Sequence, residues 1–288
     1  MRKKSIAALL YITSLLPFWL LYRLSDLLYY LLFYVMRYRK EVVFENLENA
    51  FPEKSAAERK TIAKKFYRFL PDLVVEAVKM RSMSKKEVEK RIELLNPEEV
   101  YQYFDQGKGV IGVTAHYGNW ELGIYRLSLM TNFPRLIIYK PLNNNDFNEV
   151  YNALRCRFGA TMVPMKQILR HIVQLRNQPH ISMFVADQTP TYQDSDYYMD
   201  FLKQETLVYT GTERIARLTK NPIVYCHIGR KKKRGHYYCQ FTSLVTDPDA
   251  YAPHEITEIH NRFTEAMINK EPAYWLWSHR RWKRKRRS

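Results

Sequence analysis

Cysteine is nearly absent: 288 residues hold three, Cys156, Cys226 and Cys239, with no C-x-x-C and no spacing suited to a metal. An odd count without a framework argues against a disulfide scaffold and a zinc site, and fits a reduced, cytosol-facing chain. Cys226 and Cys239 are expected to face each other across a hairpin. The chain also has no H-E-x-x-H, no Walker loop, and no Ser or Cys in a nucleophile elbow. The familiar signatures of zinc hydrolases, P-loop NTPases and elbow hydrolases are therefore missing. No internal repeat or low-complexity linker divides the sequence, so the part after the amino terminus reads as one domain. Acidic residues are outnumbered, 29 Asp and Glu against 46 Lys and Arg, for a net charge of +17.

Such a surface favours polyanions: nucleic acid, anionic headgroups or an acidic carrier protein. Its cations are unevenly spread. Seven of them fall between residues 280 and 287, and "RKKKR" fills 230 to 234. No RNA- or DNA-binding module is recognisable, and nucleic-acid binding would leave the amino terminus unexplained. That segment, "MRKKSIAALLYITSLLPFWLLYRLSDLLYYLLFYVM", opens like a signal peptide but lacks a small-residue cleavage site and stays apolar. From Ser5 to Met36 its only charges are Arg23 and Asp26, three apart and able to pair on a helix. As one helix it would be about 48 Å long against roughly 30 Å of hydrocarbon. Residues 1–36 therefore read as a membrane anchor, tilted or bent at Pro17 with its later half on the bilayer surface. Residues 37–288 are the body, ending in the basic tail. Trp275, Trp277 and Trp282 are candidate interfacial anchors there.

Beyond the anchor the pattern is helical to about residue 92, with "SAAE" (55–58) and "SKKE" (84–87) as capping boxes and a kink expected at Pro71. Then short apolar runs alternate with helical stretches. Strands are predicted at 109–115, 135–139, 160–163, 181–186 and 222–228, with helices near 119–130, 146–157, 166–177 and 210–220. Residues 236–242 are expected to return antiparallel, followed by a helix over 253–270. Strand–helix alternation predicts an α/β fold, a mostly parallel sheet flanked by helices.

Two of the eight histidines stand five places before an acid, His116 before Glu121 and His260 before Glu265. The second pair lies within a continuous helical pattern, where five residues leave the side chains some 140° apart. His116 instead follows a strand, in a turn containing Gly118, and Asn119 can cap the next helix. There an imidazole and a carboxylate could meet beyond a strand end, where α/β sheets bind ligands. A carboxylate on one ring nitrogen fixes the tautomer, and the other nitrogen becomes a general base. With no enzyme nucleophile in sight, the nucleophile is expected from the substrate, most simply a hydroxyl attacking an activated acyl group. The competing reading is a structural histidine capped by a helix.

The residues "HYGNWELG" (116–123) resemble the His-x4-acid block of the lysophospholipid acyltransferase superfamily, in particular its lipid A late acyltransferase branch. Other blocks agree in order: "RKEVVFENLENAFPEKS" (39–55), "YKPLNNNDFNEVYNALRCRFGA" (139–160), "SMFVADQTP" (182–190), "TGTERIARLTKNPIVY" (210–225) and "EPAYWLWSHRRWKRK" (271–285). The resemblance covers nearly the whole chain and implies a glycerolipid acyltransferase-like fold. It implies transfer of a fatty acyl group from acyl carrier protein to a hydroxyl of an anionic lipid A precursor, without metal or dissociable cofactor. The site implied is the cytoplasmic face of the inner membrane. By position His116 would be the general base and Glu121 its orienting partner. Arg157, with Arg155 as the alternative, would hold phosphate or the developing oxyanion; Asp187, Asn119 and Gln188 would bind substrate. Asp187, ending an apolar strand, is expected to pair with an Arg or cap a loop. Two departures bear on the acceptor: Ala186 stands where proline is frequent, and "MDFLKQE" (199–205) replaces a Phe-Phe-Gly segment expected to line the groove. Related branches acylate glycerolipids or amino-acid lipids with the same motif, which is the alternative reading.

Overall fold

The computed structural model describes residues 2–286 apart from Leu142 and Asn177. The side chains of Arg2 to Lys4 and of Ile6, and Arg287 of the basic tail, lie outside the described residues. A helical layer comes first: α1 (Arg2–Leu15), α2 (Phe18–Tyr30), α3 (Lys40–Ala50), α4 (Ala56–Lys79) and α5 (Lys85–Arg91). Ser55 and Glu58 form the expected reciprocal capping box. Ser84 caps α5 on one side only, since the Glu87 carboxylate goes to Arg91. Pro71 sits inside α4, which continues through it.

No single described helix is long and apolar enough to cross a membrane. The segments Ala7–Leu15 and Phe18–Val35 pass that test only together, and they are bent by 115° at Leu16–Pro17. Proline explains the break, since it cannot donate to the preceding turn. Inward-facing Leu21, Ser25 and Tyr29, spaced four apart, bury one stripe of α2. That stripe is tied to the body by polar groups that need partners once buried. Ser25 donates to Asp72, Tyr22 to Glu76, and Arg234 bridges Asp72 and Asp26. Asp26 thus pairs across the fold rather than with Arg23. The opposite stripe, with Trp19, Leu24, Leu27, Leu31 and Tyr34, is exposed.

Next come β1 (Ile92–Leu94), α6 (Glu98–Asp105), β2 (Gly109–Thr114), α7 (Trp120–Ser128), β3 (Arg135–Tyr139), α8 (Asn145–Arg155), β4 (Thr161–Pro164), α9 (Ile168–Gln174) and β5 (His180–Val185). The hairpin β6 (Tyr198–Phe201) and β7 (Gln204–Leu207) precedes α10 (Gly211–Thr219), β8 (Ile223–Arg230), β9 (Tyr237–Val245) and α11 (Glu255–Lys270). Seven strands form one sheet in the order β1-β9-β8-β2-β5-β3-β4. From β8 to β4 the neighbours are parallel; β8 and β9 alone pair antiparallel, and β1 runs with β9. Strand β2 is buried at every position, as a central strand covered on both faces should be. Gly107, Gly109 and Gly112 have G-x-G-x-x-G spacing, yet they enter and occupy β2. A phosphate cradle needs that spacing after a strand, opening a helix. Cys226 and Cys239 are free and buried on adjacent antiparallel strands, but they are not directly opposed: Cys226 stands opposite Phe241 and Cys239 opposite Ile228, two residues out of register.

Candidate active site

Strands β2 and β5 lie side by side in parallel register, Thr114 opposite Val185. His116 and Asp187 each stand two residues beyond their strand, so the sheet itself brings them together across 71 positions of sequence. The His116 ring Nδ1 lies 2.7 Å from Asp187 Oδ1, and the His116 backbone N–H donates to Oδ2 at 3.0 Å. The Trp275 indole donates to the same Oδ2 at 2.8 Å. Burial pushes the Asp187 carboxyl up, but facing His116 and these donors outweigh it and hold it below the ordinary carboxylate range. An ionised Asp187 places the imidazole proton on Nδ1 and leaves Nε2 as the acceptor. Nε2 meets the Gln188 amide nitrogen at 3.1 Å. The Trp120 ring stands edge-on to the imidazole at 5.0 Å between centroids.

The turn that presents His116 is built around Gly118, at φ 59°. A Cβ there would fall 2.0 Å from the Ile228 carbonyl oxygen, so no other residue fits without moving β8. The closing segment braces it: Gly118 N–H donates to Tyr274 O, and Leu276 N–H to His116 O.

Glu121 is not the partner of His116. Both its oxygens accept from Arg155, Oε2 from Nε at 2.8 Å and Oε1 from Nη2, and Oε1 also accepts from the Trp120 indole. Burial raises the Glu121 carboxyl, and the Arg155 guanidinium more than offsets this and leaves it below the usual range. The first turn of α7 points Glu121 toward α8, whose last residue is Arg155, and away from β5. Of the two arginines weighed from sequence, Arg155 lines the cavity beside His116. Arg157 donates instead to the carbonyls of Met80 and Met83, pinning the turn after α4. Asn119 is equally committed inside: Oδ1 caps α7 at Leu122 N, and Nδ2 donates to buried Glu76. Asp187 was expected to pair with an Arg or to cap a loop; it pairs with the His116 ring in place of an Arg, and its other oxygen accepts the His116 backbone N–H in the turn after β2. Only Gln188, of the residues assigned to substrate from sequence, both touches His116 and lines the cavity.

That cavity is about 320 Å³, lined by His116, Trp120, Tyr151, Arg155, Gln188 and Lys140 among others. A second, larger one of about 910 Å³ runs between α1, α4 and α8, walled by Leu10, Leu73, Val74, Val150 and Leu154. Trp120 and Tyr151 line both, so the two spaces are neighbours across these side chains, with Trp120 packed on His116. The hairpin β6–β7 lines neither; Met199, Phe201 and Leu202 are buried, Phe201 against Trp275, while Asp200, Lys203 and Glu205 face solvent, so this segment does not form the groove wall expected of it. Trp275 and Trp277 are also buried, which removes them as interfacial anchors. His260, with Glu265 turned away to Leu202 N and Arg262, is a buried core residue.

The bacterial lipid A biosynthesis acyltransferase family profile matches residues 5–284. The chain belongs to this family. It is 23% identical over 278 residues to the lipid A biosynthesis lauroyltransferase of Escherichia coli (strain K12), covering 95% of this chain and 89% of the relative. It is 25% identical over 252 residues to the lipid A biosynthesis palmitoleoyltransferase of the same organism, covering 86% and 80%. To a lipid A biosynthesis acyltransferase of Haemophilus influenzae it is 24% identical over 248 residues, covering 85% and 78%. The chain is thus an acyltransferase, and the cavity beside His116 is its candidate active site.

Proposed function

We propose that this acyltransferase moves a fatty acyl chain from acyl carrier protein to a hydroxyl of a lipid A precursor at the cytoplasmic face of the inner membrane. The observation that carries the chemistry is the His116–Asp187 contact, with Nε2 at the wall of a cavity open to substrate. The acceptor hydroxyl displaces the Gln188 amide at Nε2 and loses its proton there as its oxygen attacks the thioester carbonyl carbon. Asp187 stabilises the imidazolium that forms. When the tetrahedral species collapses, the C–S bond breaks and the leaving thiolate takes that proton back, giving ester and free thiol. Arg155, fixed by Glu121 and lining the same cavity, places positive charge near the developing oxyanion. Glu121 acts on the chemistry through Arg155.

The larger apolar space suits the acyl chain. Ala7 and Leu10 of α1 contribute to its wall, and the same amino-terminal helices expose Leu9, Ile12, Trp19, Leu27 and Val35, apolar surface suited to lying in a bilayer surface. The bend between α1 and α2 favours this over a perpendicular span. The basic loop contributes less charge to the membrane than its sequence suggests, because Lys231 and Arg234 are bonded to Glu93 and to Asp72 and Asp26. The double substitution Trp19→Asp with Leu27→Asp is expected to move most of the protein off liposomes of anionic lipid in a flotation assay while thermal unfolding changes little. Undiminished flotation would mean that another surface docks. The acceptor is tested by lipid A mass spectrometry with and without the gene. One missing acyl chain supports the proposal; unchanged lipid A with an altered amino-acid lipid or glycerolipid overturns it.

A further inference from the structure

The closing segment does more than brace the catalytic turn. Asp187 has two oxygens and three donors: Oδ1 takes the His116 ring, while Oδ2 takes the His116 backbone and the Trp275 indole. Trp275 is 2% exposed and forms an antiparallel bridge with Tyr117, the residue after the histidine. We propose that Trp275 is a positioning residue for acyl transfer, its indole N–H fixing the second oxygen of Asp187 and thereby setting how strongly the His116–Asp187 pair holds a proton. This rests on the reading of His116 as the base.

Packing alone does not account for the indole. Trp277, perpendicular to Trp275 at 4.8 Å, is just as buried, yet its N–H ends on the Pro272 carbonyl, away from the pair. The other charged and titratable groups facing the pair are few. From the closing segment come His279, which burial lowers to about 4, and Arg281, lowered to about 10 by burial against the pull of Asp187. From β8 comes Tyr225, raised by burial with Asp187 adding to it. Across the cavity stands Arg155, neutralised by Glu121. None of these hydrogen-bonds to Asp187, so among the described residues the indole is the one neutral donor on that carboxylate from outside the histidine.

Trp275→Phe removes the N–H and keeps an aromatic ring. Losing a donor makes Asp187 more basic, and a more basic carboxylate favours the imidazolium. The acidic limb of kcat/KM against pH, measured with lauroyl-acyl carrier protein and a lipid A precursor in detergent micelles, should move up by roughly half a pH unit or more. Trp277→Phe, with a similar packing loss, should leave it in place. In parallel, ¹⁵N-histidine spectra, with His116 identified by its loss in His116→Ala, should show its ring nitrogens changing state at correspondingly higher pH in Trp275→Phe alone. Spectra unchanged by Trp275→Phe, spectra moved equally by both variants, or moved spectra with an unmoved limb would overturn the proposal. A moved spectrum beside full acyl transfer by His116→Ala would leave the contact standing and overturn its part in catalysis together with the base assignment.

Discussion

His116→Ala is expected to lower kcat/KM for acyl transfer by on the order of 10² to 10⁴, the usual contribution of a positioned general base. The imidazole is small, partly open to the cavity, and packed mainly on Trp120, so little core is lost with it. What remains behind is Asp187 with one ring donor missing but the backbone and indole donors in place. That should cost about 1–3 kcal/mol of stability, short of what unfolds a domain of this size. Thermal unfolding and liposome binding measured beside turnover separate the two effects. Full turnover in a folded variant would remove His116 from the chemistry.

Asp187→Asn carries the second large effect. The amide is isosteric, but it cannot satisfy the site: three hydrogens converge on two carboxylate oxygens, and an –NH₂ replacing either oxygen faces a donor. If the amide oxygen faces His116 Nδ1, the –NH₂ opposes the indole and backbone N–H groups. If it turns round, the imidazole must adopt the other tautomer and lose its free Nε2 lone pair. Either way the base is weakened, and kcat is expected to fall by about 10² to 10⁴ with KM less affected. Glu121→Gln acts differently. It removes the counter-charge of Arg155 while leaving the Asp187 contact intact, so its loss should appear without a shift of the acidic limb.

The sheet was largely legible because its strands are short apolar runs between helical patterns, and β2, β3, β4, β5, β8 and β9 fall where those runs are. The hairpin β6–β7 was not. Its two-residue turn is Leu202–Lys203, both at positive φ, where Gly or Asn would have announced it. Strand β1 was hidden by its three-residue length at the sheet edge. The histidine was legible from its place after a strand. Its partner was not, because proximity in sequence pointed to Glu121, while strand adjacency selects a carboxylate 71 residues away. Arg155 ends α8 and Arg157 lies in the turn just after it, and the two look alike in sequence. Only the packing shows one reaching Glu121 and the other reaching Met80 and Met83.

The pairing of His116 with Asp187 is tested most directly by kcat/KM in two double-mutant cycles, His116→Ala with Asp187→Asn and His116→Ala with Glu121→Gln. Residues acting as one unit are strongly non-additive. Asp187→Asn should therefore cost little, within about threefold, once His116 is gone, while Glu121→Gln keeps most of its effect. If Asp187→Asn costs its full factor in the His116→Ala background and Glu121→Gln becomes silent, the carboxylate serving the base is Glu121 and not Asp187.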